Sequence, residues 1–378
     1  NTGAAFGRTK PEALGLEQFH RQKKLHRNIS QKMSSILSSL KIRRSFISSS
    51  QIFKLNVFVL ISLICFIFAC ISGSINIDIS DFLTGEMSDL TKIVLIEIRL
   101  PRVILAALVG ASLGISGAAL QGLFRNPLAD PGLIGVSAGA ALGATLVIVL
   151  GSQFLSGFVL GSFLLPLGAI TGAMLVIMML YLLTKGFGYQ GVTYMLLVGI
   201  AVNAIAGVGI GILTFISTDA ELRGLTFWTM GSFGGVTWPL LIPAIIIILI
   251  SVSSMMTVSR NLDLIQLGEP EAYRLGVDVK KLKLKIIFSC AAAVGASVSL
   301  SGMIGFVGLV VPHLVRLFGG VNHNYLLPGS AFIGAALMIS ADMISRTLIQ
   351  PAELPVGLIT SAIGSPFFLW LIFRIKRS

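Results

Sequence analysis

Asp342 and Arg346 stand four residues apart in an otherwise apolar stretch, the spacing at which a helix brings an acid and a base together. His313 is the one histidine inside an apolar run. It reads as a helix residue with its polar atoms satisfied, in preference to a proton relay or a haem ligand. Cys65, Cys70 and Cys290 also lie in apolar runs. They are odd in number and lack metal-ligand spacing, which makes them packing or lipid-facing residues. There is no G-x-x-x-x-G-K-[ST] phosphate loop, no His/Cys/Glu cluster and no Ser/His/Asp set in the sequence. These residue types predict no bond chemistry and no bound cofactor. Energy has to come from a partner or from an ion gradient.

The elements that must hold these residues are apolar. Of 378 residues, 54% are hydrophobic and 12% charged, about half the charged share of a soluble domain. A soluble core of this size cannot hide that surface, so lipid is the expected solvent. The 41 glycines agree, because small residues let helix backbones approach where the hydrophobic effect no longer drives association. Apolar runs near spanning length fall at 55–75, 93–122, 133–150, 157–184, 192–216, 238–258, 284–302, 306–318, 326–346 and 354–373. The third is Gly-rich and the eighth short. The expected fold is all-α, a polytopic membrane protein with about ten transmembrane helices. The span centres hold few ionisable groups, which disfavours an ion-coupled carrier working alone. A membrane-embedded enzyme has no reactive cluster to support it.

Charge sets the direction. The net charge is +12, and residues 1–54 hold eleven Lys/Arg against two Glu. That bias fits retention on the cytoplasmic side better than nucleic-acid binding. The loop after the first span is acidic, with Asp78, Asp81, Glu86 and Asp89, and is expected outside. Arg125, Lys185, the six basic residues between Arg260 and Lys285, and the tail with Arg374, Lys376 and Arg377 are expected inside. Both termini then lie in the cytoplasm. Residues 1–54 form an expected basic, disordered segment ahead of the transmembrane domain at 55–378. Met33 precedes a Ser-rich stretch as a natural start would, so 1–32 read as an extension or tag. Residues 55–71 have no obvious small-residue cleavage site and continue into the membrane pattern.

Three arginines break the charge rule. Arg99 and Arg102 begin the second span at its outer end, and Arg346 ends the ninth at its outer end. They either snorkel to the interface or await an external acidic partner. The chain also repeats itself. Val109-Gly110-Ala111-Ser112-Leu113-Gly114-Ile115-Ser116-Gly117 matches Val294-Gly295-Ala296-Ser297-Val298-Ser299-Leu300-Ser301-Gly302 at six of nine positions. Pro131-Gly132 and Pro328-Gly329 follow downstream of each. The copies run in opposite directions through the membrane, the mark of an inverted repeat of helices two to five on seven to ten. Chance likeness of Gly/Ala/Ser-rich text is the alternative.

The loop at 260–285 carries the clearest pattern. Residues 262–276 read as a short helix, a break at Gly268 and a second short helix closed by Gly276. Glu269 and Glu271 fall in the first turn of the second helix, and Pro270 suits that turn. Such helices press on the membrane surface, fit a groove on a soluble partner, or are a solvated loop.

This loop resembles the coupling segment of the iron-chelate/vitamin B12 family of ABC importer permeases. Arg99-Leu100-Pro101-Arg102 resembles the family too, as does Ser116-Gly117-Ala118-Ala119-Leu120-Gln121-Gly122 running on to Asn126-Pro127-Leu128-Ala129-Asp130-Pro131-Gly132. So do Gly305-Phe306-Val307-Gly308-Leu309-Val310-Val311-Pro312-His313, Glu353-Leu354-Pro355-Val356-Gly357 and Gly364-Ser365-Pro366-Phe367-Phe368. The likeness runs from about residue 55 to the end. It implies a homodimeric permease in the bacterial inner membrane, with the pathway along the dimer axis. Two cytoplasmic ATPase subunits, which bind ATP and Mg, would grip Leu264, Leu267, Gly268, Glu269, Glu271, Ala272, Leu275 and Gly276. An external substrate-binding protein would meet Arg102 and Arg346 with carboxylates, with Arg99 nearby. Asn203, Phe227, Trp228, Met230 and Phe233 would line the pathway or its outer gate, although an interfacial aromatic belt explains the aromatics equally. The implied cargo is a ferric chelate. The stretches at 227–238 and 351–357 resemble haem-type members, which puts haem ahead of a siderophore, with vitamin B12 third.

Overall fold

The computed structural model describes residues 47–73, 88–154, 161–184, 191–349 and 352–377. Residues 1–46, with the expected disorder and extension, lie outside the described residues, as do Asp78, Asp81, Glu86 and Lys185. The described chain is helical: α1 (Ser49–Ile71), α2 (Asp89–Phe124), α3 (Val136–Phe154), α4 (Gly161–Thr184), α5 (Gly191–Ile216), α6 (Asp219–Met230) and α7 (Trp238–Met256). It continues with α8 (Ser259–Ile265), α9 (Glu269–Arg274), α10 (Val279–Ser301), α11 (Val307–Gly319), α12 (His323–Thr347) and α13 (Val356–Arg377). Seven of these are long and apolar enough to cross a membrane, and three shorter apolar helices bring the number to the expected ten.

Three boundaries differ from expectation. The first helix starts at Ser49, inside the segment expected to be disordered, because Ser48 and Gln51 form a reciprocal capping box. Lys54 had masked that start by its charge. The tenth helix starts at Val279, not 284, because Asp278 accepts from the Lys281 N–H at 3.0 Å. That bond holds the Asp278 carboxyl below the ordinary carboxylate range. The segment after α5 is itself a helix, α6, opened by a capping box of Thr218 and Glu221.

α2 contains a π-helical turn, Val94–Arg99, where the Leu100 N–H reaches Leu95 O. Pro101 follows at once and has no N–H to give the previous turn, so the ladder widens there. Trp238 Nε1 pins the start of α7 to this turn through Ile96 O at 3.0 Å.

The packing has the exchange pattern of a repeat. α2 packs on α12 and α11 as α10 packs on α4 and α3, and α2 and α10 pack on each other. At the centre, Ser112 Oγ lies 2.5 Å from Ser297 Oγ. These are the fourth residues of the two matching nonapeptides. A residue that meets its own equivalent marks a local two-fold axis. The second half of the sequence match does not hold. Pro131 opens a 3-10 turn (Pro131–Ile134), whereas Pro328 lies inside α12. The contact of α2 with α12 is backbone on backbone: a Cβ on Gly110 would come within 2.1 Å of Gly334 O.

Candidate functional site

Two polar sites lie at opposite ends of α12. The first is the elbow formed by α8 and α9. Gly268 joins them with φ +112°, a conformation that favours glycine. Pro270 stands in the first turn of α9 as expected. The Val277 N–H closes the far side onto Ala272 O at 3.0 Å. Glu269 is buried and paired with Lys283 at 2.8 Å, so it anchors the elbow to α10 and does not face outward. Ala272 is fully buried, and its role is packing, not partner contact. Leu264 is half-buried. Leu267, Leu275 and Tyr273 are 63%, 57% and 67% exposed, with Glu271 and Gly276 exposed beside them. These form the face a partner can reach, and Tyr273 was not singled out from sequence.

The elbow is bolted to the body. Gln266 Nε2 donates to Gly122 O at 2.7 Å, at the end of α2. Ser259 Oγ lies 2.6 Å from Asn324 Oδ1, and Asp263 bonds His323 at the start of α12.

The second site is a buried arginine–carboxylate cluster at the other end of α12. Arg102 donates Nε to Asp342 Oδ1 at 2.9 Å and Nη1 to Glu353 Oε1 at 3.0 Å. Arg346 pairs with Asp342 at 3.0 Å, the expected contact one turn apart. Arg346 also donates to Ala69 O and Ser72 O at 3.3 Å. Arg99 donates to Cys70 O and Ile71 O at 3.1 and 2.7 Å. Both therefore cap the unsatisfied carbonyls at the end of α1, the negative end of its dipole. Three guanidiniums against the charge rule thus have an internal cause. Arg99 and Arg102 are buried, and all three arginines have acceptors inside the chain. The Asp342–Arg346 spacing showed half of this. Arg102 lies 240 positions from Asp342, a separation at which no local pattern signals contact.

The expected pathway residues separate. Phe227 and Trp228 line a cavity of about 320 Å³ with Leu165, Ser232, Gly235 and Ser301. Met230 is half-buried beside them. Phe233 is fully buried, held there because the Ser232 N–H donates to Ser301 O at 2.8 Å, so it packs and does not line the cavity. Asn203 donates Nδ2 to Gly132 O at 3.1 Å and ties α5 to the 3-10 turn.

Among the described residues, ten apolar helices, a two-fold internal repeat and a polar elbow define a multi-span membrane transport permease. The FecCD transport family pattern matches residues 60–374, and the chain belongs to that family. It is 44% identical over 305 residues to the hemin transport system permease protein HmuU of Yersinia pestis, covering 81% of this chain and 90% of that protein. It is 39% identical over 283 residues to the vitamin B12 import system permease protein BtuC of Escherichia coli, covering 74% and 84%. A solved structure of a metal-chelate type ABC transporter in an inward-facing conformation superposes with a TM-score of 0.76 at 33% identity. It covers 85% of this chain and 98% of its own. The chain is thus the permease component of an ABC importer and not an enzyme.

Proposed function

We propose that this permease imports a ferric chelate, haem ahead of a siderophore, across the bacterial inner membrane as a homodimer embedded in lipid. Two ATPase subunits, which hold the ATP and Mg, seat on the elbow face of Leu267, Tyr273 and Leu275. The elbow lies in the cytoplasm with both termini. A substrate-binding protein docks at the other end, where Arg102 and its half-exposed partner Glu353 lie. This chain binds no cofactor of its own.

The single observation that carries the cargo reading is the 44% identity to a hemin permease along nine-tenths of that protein. The cavity beside Phe227 and Trp228 supports it, since aromatic walls suit a flat, partly apolar ligand. Vitamin B12 is the second reading, supported by the BtuC likeness. Uptake by proteoliposomes holding the permease, its ATPase and its binding protein, offered haem, a ferric siderophore and vitamin B12 separately, tests it. Uptake of vitamin B12 without haem uptake would overturn the assignment.

A further inference from the structure

His323 stands where the elbow, α2 and α12 meet. Asp263 Oδ1, on α8, lies 2.9 Å from the His323 backbone N–H and 2.6 Å from its Nδ1. An ionised carboxylate only accepts, so the ring holds its proton on Nδ1 and donates it. The ring is buried, and its Nε2 has no hydrogen-bond partner among the described residues. It lies over Gly122, where an added Cβ would come within 2.4 Å of Nε2. One side chain therefore touches the elbow, the start of α12 and the end of α2. From His323, α12 runs 25 residues, about 37 Å at ~1.5 Å per residue. Near its other end it carries Asp342 and Arg346.

We propose that the Asp263–His323 pair is the joint through which movement of the elbow drives α12, and with it the arginine cluster at the far end. This rests on the reading of the elbow as the ATPase seat. His323 acts through the elbow and α12 and is therefore a positioning residue. The other bolts to α2 and α12 are single bonds between neutral groups, Ser259 to Asn324 and Gln266 to Gly122, and the Glu269–Lys283 ion pair runs to α10 instead. Asp263 instead makes a charge-assisted pair of bonds to one residue, one on its backbone and one on its ring, at the positive end of a helix. A backbone bond transmits pull along the axis, and the ring bond resists swing. A joint needs both.

The test uses the full complex of permease, ATPase and binding protein in proteoliposomes. A spin label on Leu348→Cys reports the far end of α12, where Leu348 is exposed. ATP is expected to change the label spectrum in the otherwise unaltered complex. His323→Phe is expected to keep assembly and ATP hydrolysis, lose the label response, and cut uptake per ATP by about tenfold to a hundredfold, the loss of one charge-assisted bond. His323→Asn puts a donor near the place of Nδ1 and is expected to restore both. A normal label response in assembled His323→Phe, or no rescue by Asn, overturns the proposal. Should His323→Phe fail to assemble, Asp263→Asn carries the test, because it keeps the shape and removes the charge. Unaltered uptake per ATP and label response there also overturn the joint. The elbow reading is checked apart: if a crosslinker on Tyr273→Cys never reaches the ATPase, that reading falls and the joint with it.

Discussion

Removal of the Asp342 carboxylate probes the buried cluster most directly. Asp342 is 1% exposed, accepts from Arg102 at 2.9 Å and forms an ion pair with Arg346 at 3.0 Å. Asp342→Asn keeps the shape and an acceptor oxygen, yet leaves two guanidiniums without their shared counter-charge. Loss of one partner from a buried pair costs about 3–5 kcal/mol. At ~1.4 kcal/mol per tenfold, the folded-to-unfolded ratio falls by about two to three and a half powers of ten. Glu353 is the internal control. It pairs with the same arginine at 2.9 Å, but its side chain is 49% exposed, and a water-screened pair contributes about 0–1 kcal/mol. The assay is denaturant unfolding of both variants in detergent, at low and high salt. Asp342→Asn should drop the midpoint far more than Glu353→Gln, and only the Glu353 effect should shrink as salt rises. Equal midpoints, or a loss below about 1 kcal/mol for Asp342→Asn, would refute the claim that Asp342 holds the cluster.

Ser112→Cys with Ser297→Cys should form a disulfide on oxidation, since the two Oγ atoms lie 2.5 Å apart; failure to crosslink would place the repeat axis elsewhere. Leu267→Asp and Tyr273→Ala should release the ATPase in a pull-down while leaving the permease folded, whereas Ala272→Leu should disrupt the elbow itself because the site is fully buried. Charge reversal at Arg102 would set three carboxylates together and unfold that end, so Glu353→Gln is the informative docking variant. By freeing one side of Arg102 it should speed binding-protein association and change its salt slope, and an unchanged rate in stopped-flow measurements would leave Arg102 with an internal role alone. Cysteines placed in the acidic 78–89 loop should be labelled from outside intact cells, and labelling only from the cytoplasm would reverse the proposed topology.

What was legible in the sequence was whatever depends on near neighbours. Gly268, Pro270 and Gly276 gave the elbow its two helices and its break, because turn chemistry is local. Apolar run length gave the helix number, with the ends displaced where a cap, Ser48 or Asp278, lay beyond the apolar run. Exposure was not legible. Ala272 and Glu269 share a six-residue helix with Tyr273, yet only the packing of α9 against α8 and α10 decides which of them faces out. The arginines were the sharpest case. Their position against the charge rule was visible, but its cause was not, because the acceptors are carbonyls of α1 and a carboxylate 240 residues away.

Those acceptors also bear on how the chain can move. A slide of α2 along α12 would break the Arg102–Asp342 pair inside a buried site, at a cost of several kcal/mol. The Gly110–Gly334 contact sets the two backbones against each other along the same interface. α1 is tied to both, through Arg99 on α2 and Arg346 on α12. These three helices therefore move as one body. The elbow grips that body three times at the opposite end, at Gly122 through Gln266, at His323 through Asp263 and at Asn324 through Ser259. A displacement delivered there cannot be absorbed by slip between α2 and α12, and has to appear at the far end or at the boundary with the rest of the chain.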